Sequence, residues 1–448
     1  AIVAGTGKSG ISATKLLVNH GVKVYLFDEN KDRDIEAIKE KTGDSELVQI
    51  ELGELGEDAL SSSQLMVISP GIPVDAPFTD VVRNAGIPIW SEIELAYHYG
   101  KGKIAAITGT NGKTTTTALV GEIVKAHNAK TIVVGNIGIP YTELCDTTDD
   151  DSDTVAEISS FQLETVIDFH PNVSAILNLT PDHLNRHYTF ENYGNVKFSI
   201  TKNQTMDDVT VLNYDDEHTR AMGEKAKDHC HVVYFSRLEK PAGGVYVEDG
   251  DIILEDGDKK INVLAIKDLK LMGAHNVENV LAAVGISYYM GVPVDVIRDV
   301  ATSFKAVAHR IEYVDTIDGV AYYNDSKGTN PDAAIKGIQA MVAPTFLIGG
   351  GYDKGSEYDE WIEAFDGKVK WLVLIGQTAQ KIADCAKRHG FNSIIFEENL
   401  QDAVAYCHEN AVDGDAVLLS PACASWGQFD NYEQRGDMFK EYVRSYKE

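Results

Sequence analysis

The amino-acid sequence predicts an α/β fold of three domains, and three observations carry that expectation. Apolar strand-like runs alternate with helical patterns along almost the whole chain, as mostly parallel sheets covered by helices require. Two glycine-rich loops, GTGKSG at 5–10 and GTNGKTTTT at 109–117, each lie between an apolar run and a helical one. The length of 448 residues exceeds what one hydrophobic core organises.

The first block opens on the strand AIVAG, turns through GTGKSG and enters the helical stretch ISATKLLVNHG. KVYLFDEN reads as a second strand ending in acid, LMVISPGIP as a later strand-to-turn transition, and IPIWSEIELAY leads out of the block through a helix. Residues 1–91 form this expected domain. Residues 92–307 form the second, whose strands TIVVGN, TVAEIS and AILNLT alternate with loops and helices. Within it VYVEDGDIILEDGDKKINV predicts a β-hairpin region, because Asp249-Gly250 and Asp256-Gly257 are the residues that tight hairpin turns favour. Residues 308–448 form the third, with VAYYND, PTFLIGGG, KWLVLIG and AVLLSPA as strands. There is no fixed-period repeat and no long low-complexity linker; TTDDDSD at 147–153 is a short acidic loop.

Composition narrows the function. The 44% hydrophobic and 24% charged content is that of a soluble globular protein. No apolar stretch approaches ~18 residues, so no membrane span is expected. Asp and Glu outnumber Lys and Arg by 69 to 40, a formal charge of −29, which repels a phosphate backbone and argues against nucleic acid. An anionic ligand must therefore be held by local groups: loop N–H groups, helix N-termini, a few cations and bound metal. The five cysteines are odd in number and form no Cys-x-x-Cys pair. That pattern points to a reducing, cytoplasmic compartment and away from a disulfide frame or a cysteine-based zinc site. The chain opens at Ala1 inside a strand, so further residues are expected before it.

GTNGKTTTT follows the strand IAAIT and precedes the helical run ALVGEIVKAH, the context a phosphate-binding loop needs. Backbone N–H groups of Gly109, Thr110, Asn111, Gly112, Lys113, Thr114 and Thr115 can converge on phosphate oxygens, reinforced by the helix N-terminus. Lys113 would neutralise the outer phosphates, and the Thr114 hydroxyl would ligate Mg²⁺. The long form of this loop has Gly six positions before the Lys; here that position is Ile107, so the loop is a shortened Gly-x-x-Gly-Lys-Thr. GTGKSG matches Gly-x-Gly-x-x-Gly, with Asp28 ending the next strand at about the spacing of a dinucleotide site. Taken alone it suits a dinucleotide, any other pyrophosphate, or a plain tight turn.

Other candidates are individually ambiguous. Glu157 ends an apolar strand, where a carboxylate can ligate Mg²⁺ or merely cap a turn in SSFQ. His183 follows another strand end, where a lone histidine is more often structural. Lys197 lies in the helical pattern FENYGNVKFSI, where most lysines are solvated surface charges. Asn276 and Asn279 stand three apart on one helix face, able to read a flat base edge or to open a polar helix. The loops at 309–310, 324–333, 349–355 and 420–436 follow or flank strands, where open α/β sheets hold ligands.

Together these stretches resemble the Mur ligases, ATP-dependent amide-forming enzymes of peptidoglycan synthesis. GTNGKTTTT, GNIG, EISSFQLE, HLNRHYTFENYGNVKFSI, GAHNVENVLAA, NDSKGTN and SPACASWGQFDNYEQRG follow that family in order along the chain. The last two, with GTGKSG, favour the branch that adds D-glutamate to UDP-N-acetylmuramoyl-L-alanine. The resemblance implies a Rossmann-like N-terminal domain for the UDP substrate, a central ATPase domain and a Rossmann-like C-terminal domain for the amino acid. It implies ATP contacts from the phosphate loop, from Asn276 and Asn279 at adenine, and from Arg310 and Asp325. Two Mg²⁺ ions are implied, one at Thr114 and a second at Glu157, His183 and a Lys197 carbamylated by CO₂. Thr6, Gly7, Lys8, Ser9, Asp28, Glu29, Asn136 and Ser159 fall at the UDP substrate, and Thr329, Lys354, Ser425 and Tyr432 at D-glutamate. Tyr432 stands where Phe is the alternative aromatic. A monomer that closes its third domain on its ligands is expected.

The implied reaction phosphorylates the substrate carboxylate from ATP, and the amino-acid amine then displaces phosphate. Three other functions compete. A neighbouring ligase would share the central loops but not the tail motif. An NAD-dependent oxidoreductase would use GTGKSG and leave GTNGKTTTT unexplained. A non-catalytic nucleotide-binding regulator would show no turnover.

Overall fold

The computed structural model describes every residue except Ile137, Met272, Ala306, Val307 and Glu448. The boundary expected at residue 307 therefore lies outside the described residues. The described chain is built on three sheets. The first runs, edge to edge, through Val48–Leu52, Val24–Asp28, Ile2–Ala4, Met66–Ile68 and Ile89–Ser91, all parallel. Its order reverses beside Ile2–Ala4, the strand that feeds GTGKSG, and at such a switch point α/β sheets open a crevice.

The second sheet has nine strands, with Lys103–Thr108 between Val173–Ile176 and Asp153–Glu157. Five of the six residues of Lys103–Thr108 are buried, which is why it reads as a continuous apolar run. The predicted hairpin region is an antiparallel meander of Gly244–Glu248, Asp251–Asp256 and Lys259–Ala265 at the far edge. Asp249 and Gly250 take φ of 50° and 85°, the paired positive values of a tight two-residue turn. The third sheet orders Glu312–Ile317, Val320–Asn324, Ala416–Leu419, Thr345–Gly349, Val369–Leu374 and Ile394–Phe396. All its pairings are parallel except the first.

The chain divides into two compact units: residues 1–268 with 278–302, and residues 269–277 with 303–448. In the first unit one apolar cluster joins Val3, Leu26 and Val67 of the first sheet to Ile104, Ala156 and Ile176 of the second. Two buried acids on the helix Glu92–Tyr99 fix this junction. Glu92 accepts from the backbone N–H and hydroxyl of Thr142 at 2.6 and 2.9 Å, and burial holds its carboxyl above the usual range. Glu94 accepts from the N–H groups of Ile167, Asp168 and Phe169 at 2.7–3.1 Å. In the second unit separate clusters cover the two faces of the third sheet. All five cysteines are buried and free, and no described helix is long and apolar enough to cross a membrane.

Candidate active site

Lys103–Thr108 delivers the chain into GTNGKTTTT, and the loop's two glycines are required by geometry. Gly109 and Gly112 take φ of 148° and 83°. A Cβ on Gly112 would lie 2.3 Å from Asn279 Oδ1, and one on Gly109 3.0 Å from Leu177 Cβ. Thr110 and Asn111 are clasped by the neighbouring strand end: Asn111 N donates to Asn178 Oδ1 at 2.8 Å, Asn178 Nδ2 returns to Asn111 O at 3.0 Å, and Thr180 N donates to Thr110 Oγ1 at 3.1 Å. Thr114 and Thr115 are buried in the first turn of the helix Lys113–His127. Lys113 Nζ folds back over the loop, donating to the carbonyls of Gly109 and Thr110 at 2.9 and 2.8 Å.

Lys197 is not a surface residue. It is 1% exposed, and its Nζ donates to the same Gly109 carbonyl at 2.8 Å and to Thr108 Oγ1 at 3.3 Å. The helix Phe190–Phe198 buries Tyr193, Gly194 and Lys197 along one side, and Lys197 Nζ lies 4.8 Å from the Tyr193 ring centre. Burial first, and then the charge of Lys113, drive the Lys197 amine well below its ordinary pKa, against the pull of Asp182 and Glu157.

Glu157 ends its strand 3% exposed; Oε1 accepts from Asn136 Nδ2 at 3.0 Å, while Oε2 is buried without a hydrogen-bond partner. A buried carboxylate oxygen with no donor fits a cation. The turn in SSFQ is capped by Ser159, whose hydroxyl forms a capping box with Gln162, so Glu157 is not spent on the cap. His183 sits at φ 52°, half-exposed, with its ring edge-on to Phe161 at 4.8 Å and Asp182 3.4 Å from Nε2. Lys113, Glu157 and Asp182 all lie within electrostatic reach of Lys197. The unpartnered Glu157 oxygen, with a buried amine whose hold on a proton is weakened, fits an Mg²⁺ site.

At GTGKSG, Gly5 has φ 101°, and a Cβ on Gly10 would fall 1.8 Å from the Gly5 carbonyl, so the loop folds against its own helix. Gly7 has open space where a side chain would be. Thr6 is held by Asp28, whose Oδ2 accepts from the Thr6 N–H and hydroxyl at 3.1 and 2.6 Å. Burial raises the Asp28 carboxyl, but the bonds from Thr6 and Asn30, with Arg33, outweigh it and hold the pKa below the ordinary value. Thr6, Gly7 and Lys8 line a cavity of about 590 Å³ that also takes Lys15, Lys41 and Thr142. Lys8 reaches the Gly138 carbonyl; Ser9 lies in the first turn of the helix Lys8–Asn19, and Glu29 is exposed.

The second unit holds all but one of the remaining candidates. Asn276, on the helix Ala274–Tyr289, lines a cavity of about 550 Å³ with Ile311, Tyr313 and Tyr323. Asn279, one turn on, belongs to the first unit, where its Oδ1 accepts from Thr116 Oγ1 at 3.4 Å. Arg310 and Asp325 interact electrostatically; Asp325 is buried, accepts from Ser420 Oγ at 2.7 Å, and burial raises its pKa to about 6. Thr329 precedes Asn330, whose side chain caps Pro331–Ala340. Ser425 is buried, Lys354 is exposed, and Lys327 Nζ lies 5.6 Å from the Tyr432 ring centre.

Two residues escape the sequence signals. Asn178 clasps the phosphate loop from a strand end whose only distinctive residue in sequence is His183. Arg435, fully buried, donates to Ser326 Oγ and O at 2.9 and 2.8 Å and to the Cys423 carbonyl at 3.2 Å. It ties the loop before Thr329 to the loop before Ser425. In sequence it is one more charge on an amphipathic helix.

Three largely parallel sheets, with a glycine-rich loop heading the second and a buried lysine beside it, define a multi-domain α/β protein with the geometry of a phosphate-binding loop. The chain matches the Mur ligase MurD-like N-terminal domain over residues 1–91, the Mur ligase middle domain over 107–287 and the Mur ligase glutamate ligase domain over 309–423. It belongs to the Mur ligase family. Its relatives include the UDP-N-acetylmuramoylalanine–D-glutamate ligase of Lachnospira eligens, 56% identical over 99% of this chain and 98% of that one. The enzyme of the same name from Clostridioides difficile is 46% identical over 100% of this chain and 98% of its own. Among solved structures, UDP-N-acetylmuramate-alanine ligase MurC from Thermotoga maritima aligns with a TM-score of 0.62 at 20% identity, over 99% of both chains. MurF ligase from Thermotoga maritima, in complex with ADP, gives 0.59 at 16% identity over 99% of this chain and 95% of that one. These two structures share the fold.

Proposed function

We propose that this chain is an ATP-dependent ligase that joins D-glutamate to UDP-N-acetylmuramoyl-L-alanine, releasing ADP and phosphate. The observation that carries the reading is the convergence of Lys113 and Lys197 on one loop carbonyl, beside the unpartnered oxygen of Glu157. Likeness over the full chain to enzymes named for D-glutamate addition supports the choice of amino acid.

A carboxylate does not react with an amine, because oxide would have to leave. Transfer of the γ-phosphoryl group of ATP to the substrate carboxylate gives an acyl phosphate and ADP. The D-glutamate amine then adds to the carbonyl carbon, and the tetrahedral intermediate expels phosphate as the amide forms. The first step brings two anions together, so cations must be in place before it. Lys113 supplies one. Lys197, whose burial favours the uncharged amine, would add to CO₂ through its nitrogen and lose one proton, becoming an anionic carbamate. Thr114 would hold one Mg²⁺, and Glu157, His183 and the Lys197 carbamate a second. Magnesium at these positions would screen the charge of the transferring phosphoryl group.

GTGKSG grips the pyrophosphate of the UDP substrate with Thr6, Gly7, Lys8 and Ser9, and Asp28, Glu29, Asn136 and Ser159 complete that side. Asn276, Asn279, Arg310 and Asp325 serve ATP, while Thr329, Lys354, Ser425 and Tyr432 receive D-glutamate. In the division into residues 1–91, 92–307 and 308–448, the first part chiefly serves the UDP substrate, the second ATP and the third D-glutamate, with Asn136, Ser159, Arg310 and Asp325 contributing to a neighbouring part's ligand. The enzyme acts in the cytoplasm as a monomer. Phosphate release from ATP with UDP-N-acetylmuramoyl-L-alanine, across a panel of amino acids, tests the reading: release is expected with D-glutamate, and release independent of it would refute the assignment.

A further inference from the structure

On the third sheet's outer layer the helices Asp359–Glu363 and Ala379–Arg388 pack through Trp361, Ile362, Ala383 and Ala386. At one end of this contact the Cys385 thiol, an imidazole nitrogen of His389 and a carboxylate oxygen of Asp359 all lie within 4.8 Å of one another. His389 Nε2 is 2.8 Å from Asp359 Oδ1, and its Nδ1 is 3.7 Å from Glu363 Oε1. Cys385 forms a buried floor, while Asp359 and His389 reach solvent.

We propose that Asp359, Cys385 and His389 bind a divalent cation of the zinc type, with Glu363 orienting the imidazole. Cys385 and His389 are four residues apart, as are Asp359 and Glu363, so one turn of each helix presents its pair on one side. The Cys-x-x-Cys spacing that zinc sites show in sequence is absent; the ligands come instead from two helices. The Cys385 sulfur suits zinc and is foreign to Mg²⁺, so this site is chemically distinct from the one proposed at Glu157. Three protein ligands and one water complete a tetrahedron, the thiol proton passing to solvent as sulfur binds the metal. With Nε2 on the metal, Nδ1–H donates to Glu363, the carboxylate–histidine–metal arrangement that fixes the ring. Arg388 Nη2, 3.5 Å from Asp359 Oδ1, is the competing cation, and its exposed side chain is free to leave. A bound ion clamps the two helices just after the loop Gly350–Gly355.

The test uses the full chain, freed of metal with chelator and titrated with Co²⁺. One equivalent is expected to give the near-ultraviolet thiolate-to-cobalt band and visible bands of four-coordinate intensity, both displaced by Zn²⁺. Cys385→Ser loses the near-ultraviolet band. His389→Ala, at a solvent-reaching position, weakens Co²⁺ at least tenfold, and Glu363→Gln weakens it about tenfold. Zn²⁺ raises Tm in the unaltered protein and not in His389→Ala. Absence of the band, its persistence in Cys385→Ser, or unchanged affinity in His389→Ala overturns the site.

Discussion

Lys113 and Lys197 donate to a single acceptor, their nitrogens 2.9 and 2.8 Å from the Gly109 carbonyl oxygen. Two full positive charges do not share one carbonyl in a buried site without strong repulsion. Lys197, the more buried, gives way: desolvation first and the charge of Lys113 second hold its amine well below the ordinary lysine range. The loop carbonyl is therefore shared by Lys113 and by an amine, on the helix Phe190–Phe198, whose hold on a proton is weakened.

Replacement of Lys197 by Ala is accordingly expected to cut kcat by about 10²–10³-fold, the scale seen when one group stabilising transition-state charge is removed. Short-chain carboxylates should restore part of the rate by standing in for the carbamate. ¹³C-bicarbonate should give a carbamate resonance in the unaltered chain alone. Undiminished turnover in Lys197→Ala would remove the carbamate from the mechanism.

The glycines of GTGKSG separate a ligand cradle from a plain turn. Gly10 meets the Gly5 carbonyl at 1.8 Å from a hypothetical Cβ, backbone against backbone, so Gly10→Ala should destabilise the first sheet severely. Gly7, at φ −76° with open space around it, tolerates Ala in the free protein. If the loop holds pyrophosphate, Gly7→Ala leaves Tm unchanged yet raises KM for the UDP substrate about tenfold or more. An unchanged KM would reduce GTGKSG to a structural turn.

Most of the fold is legible in the sequence because buried parallel strands read as unbroken apolar runs between glycine-rich turns. VQIEL, the edge strand Val48–Leu52, is not, since its residues are only half-buried and alternate with polar ones. The phosphate loop is legible for the same local reason: glycines at positive φ between strand and helix leave a direct mark. Lys197 and Arg435 leave none. A charged residue on an amphipathic helix looks solvated until tertiary packing covers it, and in sequence Lys197 is singled out by family resemblance alone. Cys385 and His389 were hidden likewise, their partner Asp359 lying on another helix.

Asp325 gives a pH signature. Burial raises its carboxyl from 3.8 to about 6, so the folded state binds a proton more tightly than the unfolded one. Stability from this group is present below the unfolded value and is lost as pH rises through about 6. Asp325→Asn mimics the protonated form and keeps an acceptor for Ser420. It should stabilise the chain by up to about 3 kcal/mol at pH 7.5 and by nearly nothing near pH 4. Denaturant midpoints at the two pH values measure this; an equal gain at both would contradict it. Activity should fall as well, since Asp325 is proposed to serve ATP.

Arg435 tests whether the two loops of the third sheet act as one unit. Its guanidinium bonds Ser326 through both hydroxyl and carbonyl and Cys423 through its carbonyl, so three acceptors on two loops depend on one planar fork. Burial lowers its pKa only to about 10, so it stays charged at neutral pH, and no single ammonium reproduces the fork. Arg435→Lys keeps the charge and loses the geometry. The loops then drift relative to each other, carrying Thr329 away from Ser425, and a displacement near 1 Å is enough to weaken binding and turnover by about tenfold to a hundredfold. KM for D-glutamate should rise about tenfold, while KM for the UDP substrate, whose proposed residues lie in the first unit, stays within about twofold. A purely structural arginine would lower Tm and leave the ratio of the two KM values where it was. Steady-state kinetics against each substrate in turn, with Tm measured alongside, decide between the two.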